Sequence, residues 1–189
     1  GRYVIVSNYP GTTVEISRGK MRLGGIIYEV VDTSGVNSVV PQSEDERVTV
    51  EILLTEKPDL IIQVADAKNL RRTLLVTSQL VEFGVPMILV LNMMDEAQDR
   101  GIVIESRRVA ELFGIPVVET VAIYGHGMRQ LFQAIPKARE PKNPLRSHEA
   151  NSESLTSLDE IEGVPSELAV EWIGVGDQKL VCEVEKTFG

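Results

Sequence analysis

An α/β fold built on a mostly parallel sheet is predicted for this chain of 189 residues, from its composition and from the order of its apolar segments. The hydrophobic fraction is 43%, whereas aromatic residues make up only 5%. Such a core must be built mainly from Val, Ile and Leu, which is typical of buried parallel strands. From residue 59 onward strand and helix patterns alternate, an order that implies right-handed crossovers with helices on both faces of the sheet.

The first third of the chain predicts an antiparallel hairpin followed by a helix. Residues 13–23 and 26–31 have strand patterns, and the Gly24-Gly25 link between them is too short for a crossover. After a loop, Ser43-Glu-Asp-Glu46 has the spacing of a capping box and predicts a helix that continues to about residue 54.

The alternating region predicts strands at 59–65, 86–91 and 115–119. Helices are predicted between them, one from Leu70 to a stop at Gly84, one at 106–113 and one at 127–138. Ligands of such sheets bind beyond the carboxyl ends of the strands. The candidate binding positions are therefore the loops that follow Val31, Ala65, Leu91 and Thr120.

A change of composition after Arg139 suggests the domain organisation. We interpret residues 1–139 as one domain and residues 140–165, which are rich in Pro, Ser, Asn and Glu, as a linker. Leu168, Trp172 and Val175 recur at helical spacing, so residues 166–189 are predicted to begin a small C-terminal helical segment.

The charge and the cysteine content limit the possible partners. A net charge of −9 argues against a nucleic-acid partner, although a single nucleotide can still bind through backbone N–H groups and Mg²⁺. Cys182 is the only cysteine, so the chain has no intrachain disulfide, and no Cys/His cluster has metal-ligand spacing. No apolar run reaches the ~18–20 residues that a membrane span requires.

Asn92 and Asp95 directly follow the apolar strand at 86–91. The Asp95 carboxylate can accept hydrogen bonds from the N1–H and 2-amino groups of guanine, and Asn92 can bridge to N7 and brace neighbouring loops. Adenine offers no such pair of donors, so a carboxylate buried against it would lack partners. On spacing alone, an Asn/Asp helix cap after a strand is the more common explanation of this motif.

Two upstream motifs improve the case for a nucleotide site. The strand at 26–31 ends in Asp32-Thr-Ser-Gly35, where the Asp can reach Mg²⁺ through water and the Gly N–H can meet a γ-phosphate. Thr13 lies before the first long strand, where its hydroxyl could coordinate Mg²⁺. A plain turn at 32–35 and an ordinary strand residue at 13 are the alternatives. The order and placement of the three signals nevertheless favour a guanine nucleotide.

The order Thr13, Asp32-x-x-Gly35, Asn92-x-x-Asp95 resembles the switch I, switch II and guanine-specificity motifs of translation-factor-type GTPases. Over residues 1–135 the sequence more specifically resembles the G domain of the ferrous-iron transporter family FeoB. The matching stretches include Asn8-Tyr-Pro-Gly-Thr-Thr-Val-Glu15, Val64-Ala-Asp-Ala-Lys-Asn-Leu70 and Gly84-Val-Pro-Met-Ile-Leu-Val-Leu-Asn-Met-Met-Asp95. The resemblance implies a P-loop GTPase-like three-layer sandwich with a mostly parallel sheet and a small C-terminal helical segment.

The resemblance also implies a function and a set of site residues. The function is GTP binding and slow hydrolysis, coupled to Fe²⁺ uptake by a transmembrane iron-permeation domain, at the cytoplasmic face of the bacterial inner membrane. GTP or GDP with Mg²⁺, and K⁺ near the phosphates, are the implied ligands; a homo-oligomer is left open. By position, Thr13 and Asp32 would contact Mg²⁺ and Gly35 the γ-phosphate, Asn92 and Asp95 would read guanine, and the backbone of Val121 and Ala122 would meet guanine O6.

The sequence departs from the family pattern in two places. No G-x-x-x-x-G-K-[ST] occurs, and the resemblance places that phosphate-binding loop upstream of Gly1, with the chain beginning inside the following helix. We therefore expect an N-terminally truncated G domain that is a GTPase in the full-length protein. In switch II, Ser34 replaces the usual Pro, and Val36 stands where a Gln could orient water, so no catalytic residue is assigned.

Three other functions are alternatives to this GTPase. A GTPase-like interaction module that no longer binds nucleotide would keep the fold and lack the phosphate-binding loop. A ribosome-assembly GTPase would share Asn92 and Asp95, but it predicts a basic RNA-binding extension, and the chain is acidic. A dinucleotide-dependent dehydrogenase requires a strand that leads into G-x-G-x-x-G, which this sequence lacks.

Overall fold

The computed structural model describes residues 4–36, 39 and 41–142, which belong to two compact units. One unit extends to Asp59 and the other begins at Leu60, and each contains its own three-stranded sheet. The predicted linker beyond residue 142 and the predicted helical segment at 166–189 lie outside the described residues.

The sheet of the first unit is antiparallel, with β1 (Val4–Asn8), β2 (Glu15–Leu23) and β3 (Ile26–Asp32) in that order. The predicted hairpin is confirmed: β2 and β3 pair from Leu23 opposite Ile26 to Ser17 opposite Asp32. Gly24 and Gly25 close it with φ angles of 57° and 84°, the left-handed values that a two-residue turn of this type requires.

Strand β1 corrects one sequence expectation. The resemblance implied that the chain begins inside a helix, but Val4–Asn8 is a strand that pairs with residues 15–19 of β2. Val4, Ile5 and Val6 are β-branched, and side chains of this kind favour a pleated surface over a helix. The neighbouring edge of β2 supplies the backbone partners for these residues.

Helix α1 (Glu44–Glu56) follows the hairpin. The core of this unit joins residues of the hairpin and α1, namely Val14, Ile16, Val48 and Ile52, with Tyr9 and Val31 packed against them. The predicted cap is confirmed: the Ser43 hydroxyl accepts a hydrogen bond from the Glu46 N–H at 3.2 Å. The Glu46 carboxylate in turn accepts from the Gln42 N–H at 2.8 Å, one residue further back than in the usual capping box.

An ion pair joins the end of α1 to strand β2. Arg18 donates to Glu56 through both terminal nitrogens, and one of these bonds measures 2.9 Å. This pair lowers the pKa of Glu56 and raises the pKa of Arg18, because each charge stabilises the other. Burial, together with the nearby Glu51 carboxylate, raises the pKa of Tyr9.

The sheet of the second unit is parallel, with β4 (Ile61–Asp66), β5 (Met87–Asn92) and β6 (Val117–Glu119) in that order. The predicted alternation of strands and helices is therefore confirmed. Strand β5 forms the centre, and its residues Met87 to Leu91 are all at most 3% exposed. Because Asp66 is paired in register with Asn92, the carboxyl ends of β4 and β5 lie side by side.

The helices of this unit are α2 (Leu70–Leu80), α3 (Met94–Asp99), α4 (Ser106–Phe113) and α5 (Met128–Ala134). A short 3-10 turn extends α2, and the chain then leaves through Gly84, as α4 leaves through Gly114; both glycines are left-handed, as predicted. Helix α3 was not predicted, because six residues are too few to show a helical period. Among the described residues, no helix has the length and apolar character that a membrane span needs.

Candidate functional site

Asn92 and Asp95 lie on either side of the turn between β5 and α3. Asn92 is the last residue of β5, and Asp95 lies in the first turn of α3. Met93 between them has φ 62° and ψ 37°, a left-handed conformation that costs a non-glycine residue roughly 1–2 kcal/mol. Strain of this kind persists only where the surroundings hold the chain in place.

The side chain of Asn92 joins two loops. Its Oδ1 accepts one hydrogen bond from the Thr120 hydroxyl and another from the Ala122 N–H, each at 3.0 Å. Thr120 is only 2% exposed, and its N–H donates to the carbonyl of Leu91 at 2.8 Å. The loop that follows β6 is thereby fixed against the end of β5. These two bonds use both lone pairs of the amide oxygen.

The loop after β6 is a tight turn that closes on itself. Val121 and His126 exchange two backbone hydrogen bonds of 3.2 Å, and Gly125 and Gly127 have φ angles of 72° and 79°. At Gly127, an added Cβ would lie 2.1 Å from the carbonyl oxygen of Glu119, so no other residue fits without a shift of the backbone.

The structure modifies one predicted role in this loop. The N–H groups of Val121 and Ala122, which the resemblance directs to guanine O6, donate instead to the His126 carbonyl and to Asn92 Oδ1. A base that contacted either N–H would have to replace or share these bonds.

Thr13, Asp32 and Gly35 belong to the first unit. Thr13 is exposed in the loop before β2, where its hydroxyl donates to Glu44 at 3.3 Å. Asp32 is the exposed last residue of β3, and Gly35 is exposed in the loop that follows. An added Cβ at Gly35 would meet nothing within 4 Å and its φ is not left-handed, so the local backbone does not require glycine there.

The fit of these residues to Mg²⁺ is partial. Thr13 and Asp32 offer a hydroxyl and a carboxylate oxygen, which are the hard ligands that Mg²⁺ prefers. Within the described ranges, no group of three His, Cys, Asp or Glu side chains could hold a metal ion. A cation held by Thr13 and Asp32 would therefore take the rest of its octahedral shell from phosphate oxygens and water.

Sequence reasoning missed the residues that follow β4. The Lys68 ammonium pairs with Glu96 of α3 and lies 3.7 Å from Asp66 Oδ2. The Asp66 carboxylate also accepts from the Lys68 N–H at 2.9 Å and from the Asn69 amide at 3.1 Å. The loop after Ala65 was predicted as a binding position, but nothing in the sequence indicates that Lys68 reaches the loop after β5.

The sequence matches the family described as Ferrous iron transport protein B over residues 1–135. The chain belongs to the FeoB family. It is 37% identical over 145 residues to the Fe(2+) transporter FeoB of Legionella pneumophila, which covers 75% of this chain and 19% of the relative. With the Fe(2+) transporter FeoB of Escherichia coli K12 it shares 33% identity over 178 residues, or 90% of this chain and 23% of the relative. The chain thus spans less than a quarter of either FeoB transporter.

Solved FeoB structures resemble the fold as well. The cytosolic domain of L. pneumophila FeoB has a TM-score of 0.72 and 31% identity, over 97% of this chain and 76% of that one. A mutant S. thermophilus NFeoB bound to mGDP has a TM-score of 0.66 and 34% identity, over 72% of this chain and 52% of that one. The FeoB G-domain from Methanococcus jannaschii has a TM-score of 0.61 and 36% identity, over 64% and 75%.

These FeoB relatives confirm the predicted fold class, an α/β protein with the P-loop GTPase fold. They also confirm the resemblance to the N-terminal G domain of the family. A FeoB G domain implies GTP or GDP with Mg²⁺ as the class of ligand.

Proposed function

We propose that this chain is most of the GTP-binding regulatory domain of a ferrous-iron transporter. In the full-length protein, GTP binding and slow hydrolysis would regulate the passage of Fe²⁺ through a transmembrane domain, with this domain at the cytoplasmic face of the bacterial inner membrane. The observation that carries the proposal is the double hydrogen bond of Asn92 Oδ1 to Thr120 and Ala122. It gives the Asn of the N-x-x-D motif the bracing role that guanine recognition requires.

The chemistry of the base supports this assignment. Because Asn92 Oδ1 already accepts two hydrogen bonds, the group that Asn92 has left to offer is its NH₂. N7 of guanine is an acceptor, so it is a suitable partner for that NH₂. Asp95 would accept from N1–H and the 2-amino group, and the Ala122 N–H would exchange its bond to Asn92 for one to O6. Adenine presents an acceptor at N1 and would leave the Asp95 carboxylate without a donor.

The phosphate end of the nucleotide depends on other residues. Thr13 and Asp32 are proposed as Mg²⁺ contacts, the N–H of Gly35 as a γ-phosphate donor, and Val121 as a backbone contact beside the base. The Lys-bearing phosphate loop does not occur in the 189 residues, so these residues alone are expected to bind the phosphates weakly. Hydrolysis would depend on backbone groups, Mg²⁺ and K⁺, because the side chain of Val36 has no polar atom to orient water.

The proposal is tested by titrating a fluorescent GDP analogue against two polypeptides, this chain and one extended upstream through the neighbouring strand and loop. We expect the extended polypeptide to bind much more tightly. Asp95→Asn should weaken its GDP binding about 10-fold or more, since hydrogen bonds to a charged group are worth about 1.5–3 kcal/mol. Asp99→Asn is the matched control, because it makes the same charge change at the exposed far end of α3.

The interaction module remains the second candidate, and the observation that favours it is that the N–H groups of Val121 and Ala122 already donate to partners within the protein. It predicts that neither polypeptide binds GDP. In that case Asn92 and Asp95 serve only as a brace and a helix-terminal residue. Equal GDP affinity of the Asp95→Asn variant and the unmodified protein would likewise reject the guanine site.

A further inference from the structure

One partly buried lysine connects the loops around the candidate base site. Lys68 lies just after β4, and its side chain is only 13% exposed. Its ammonium pairs with Glu96 on α3, lies 3.7 Å from Asp66 Oδ2, and lies 3.6 Å from the sulfur of Met93. All three partners belong to the turns that leave β4 and β5, whose last residues Asp66 and Asn92 are in register.

Lys68 contacts Met93 and helix α3, a segment that needs contacts from the rest of the protein to keep one conformation. Helix α3 has six residues, and a helix this short is unstable without contacts from outside itself. Met93, immediately before it, has the unfavourable left-handed conformation. Lys68 contacts Met93 on one side of Asp95 and Glu96 on the other.

Charge gives a second reason for a cation here. Asp66, Asp95 and Glu96 lie on two adjacent turns, and like charges at such short range repel one another. The Lys68 ammonium offsets two of these charges directly. If it were removed, the repulsion between Asp66 and Glu96 would favour movement of the first turn of α3 away from β4.

We propose that Lys68 is a positioning residue for guanine recognition, which holds Met93 and the first turn of α3 so that the Asp95 carboxylate is aligned with its two donors on the base. This inference rests on the proposed guanine site. Lys68 itself would not touch the nucleotide; it acts through Glu96, Asp66 and Met93. An ordinary surface ion pair is the competing explanation, since Glu96 is 50% exposed and such pairs contribute little to stability.

The preference for GDP over inosine diphosphate separates the two explanations. Inosine lacks the 2-amino group, so it can use only one of the two bonds to Asp95, and the ratio of the two affinities reports the alignment of that carboxylate. In the upstream-extended polypeptide, Lys68→Met and Glu96→Gln should each weaken GDP binding about threefold to tenfold, in line with one partly exposed charged contact. The GDP preference should fall with them.

Rescue and control variants complete the experiment. Lys68→Arg should keep much of the GDP preference, because it leaves a cation beside both Asp66 and Glu96. Arg107→Met is the matched control, because it breaks an exposed pair with Glu111 on α4, at 2.9 Å, and should change neither affinity. If Lys68→Met lowers the thermal stability but leaves the GDP preference unchanged, Lys68 is not a positioning residue. Its contact with Glu96 is then an ordinary surface ion pair.

Failure of the guanine site itself gives a different result. If the upstream-extended polypeptide without substitutions binds no GDP, or if Asp95→Asn does not change its GDP affinity, the guanine site and the role of Lys68 are both wrong. If Asp95→Asn weakens GDP binding while Lys68→Met and Glu96→Gln do not, only the role of Lys68 is rejected.

Discussion

Asn92 Oδ1 lies 3.0 Å from the N–H of Ala122 and so joins the loop that leaves β5 to the loop that leaves β6. The two residues are 30 positions apart in sequence. This side chain therefore acts together with the backbone bonds of Thr120 to Leu91 and Met94 to hold two loops that both border the proposed base. The Asn92 oxygen stabilises the fold, and the Asn92 NH₂ group remains to donate to the ligand. These two roles can be separated experimentally.

Asn92→Asp should preserve the fold and weaken guanine binding. A carboxylate can still accept from Thr120 and Ala122, so unfolding in denaturant should change by at most about 1 kcal/mol. It cannot donate to N7, however, so GDP affinity should fall about 10-fold or more. Asn92→Ala should lose both functions, with a destabilisation of about 1 kcal/mol from the loss of the bonds to Thr120 and Ala122. Undiminished GDP binding by Asn92→Asp would contradict the assignment.

The motif and a bracing role for Asn92 were readable from the sequence, but the partners of Asn92 were not. Asn92 and Asp95 follow an apolar strand, and strand ends in a parallel sheet are predictable positions for ligands. The hydrogen bond to Ala122 depends on the exact path of the loop after β6. That path is determined by the left-handed glycines Gly125 and Gly127 and cannot be derived from local pattern alone.

The elements that sequence reasoning missed are short or depend on distant partners. Helix α3 has six residues, and β1 is a strand because β2 offers its edge. The position of Lys68 was not predictable either, since its partner Glu96 is 28 residues away. By contrast, helices α1 and α4 and the buried strand β5 were predicted within about two residues of their observed bounds, because each has a full period or a cap in its own sequence.

Gly127→Ala should destabilise the second unit by about 2–4 kcal/mol, since a left-handed φ and an overlap of the new Cβ act together. The new Cβ would lie 2.1 Å from the Glu119 carbonyl oxygen. Gly125→Ala is the control, because its φ of 72° is similar but a Cβ would meet nothing within 4 Å; about 1 kcal/mol is expected there. Chemical denaturation followed by circular dichroism measures both. Equal losses in the two variants would mean that the close approach at Gly127 contributes nothing.

The Arg18–Glu56 pair predicts a stability that depends on pH. Because the pair lowers the pKa of Glu56 in the folded state, its contribution is present above the ordinary glutamate pKa of about 4.3 and is lost as pH falls through the lowered value. Glu56→Gln should therefore cost about 1 kcal/mol at pH 7 and progressively less below pH 4. Denaturation of both proteins between pH 3 and 7 tests this. Glu29→Gln, which removes the weaker 3.7 Å contact of the same arginine, should show little pH-dependent difference.

Asp95→Asn should change the base preference from guanine to xanthine. Xanthine keeps the N1–H donor but carries an oxygen in place of the 2-amino group. An asparagine carboxamide can accept from N1–H and donate to that oxygen, whereas the Asp95 carboxylate would be repelled by it. We expect GDP affinity to fall about 10-fold or more and xanthosine diphosphate affinity to rise by a similar factor, the scale of one charged hydrogen bond gained or lost.

The Asp99→Asn variant removes the same charge from α3 and is the control. In the same titration it should still bind GDP more tightly than xanthosine diphosphate. Loss of GDP binding by Asp95→Asn without a gain for xanthosine diphosphate would show only that the variant damages the loop. A reversal of preference is the stronger result, because a damaged loop cannot favour a new base. Only a side chain that contacts both positions of the base edge can exchange one pair of groups for the other, so the reversal would place Asp95 directly against the base.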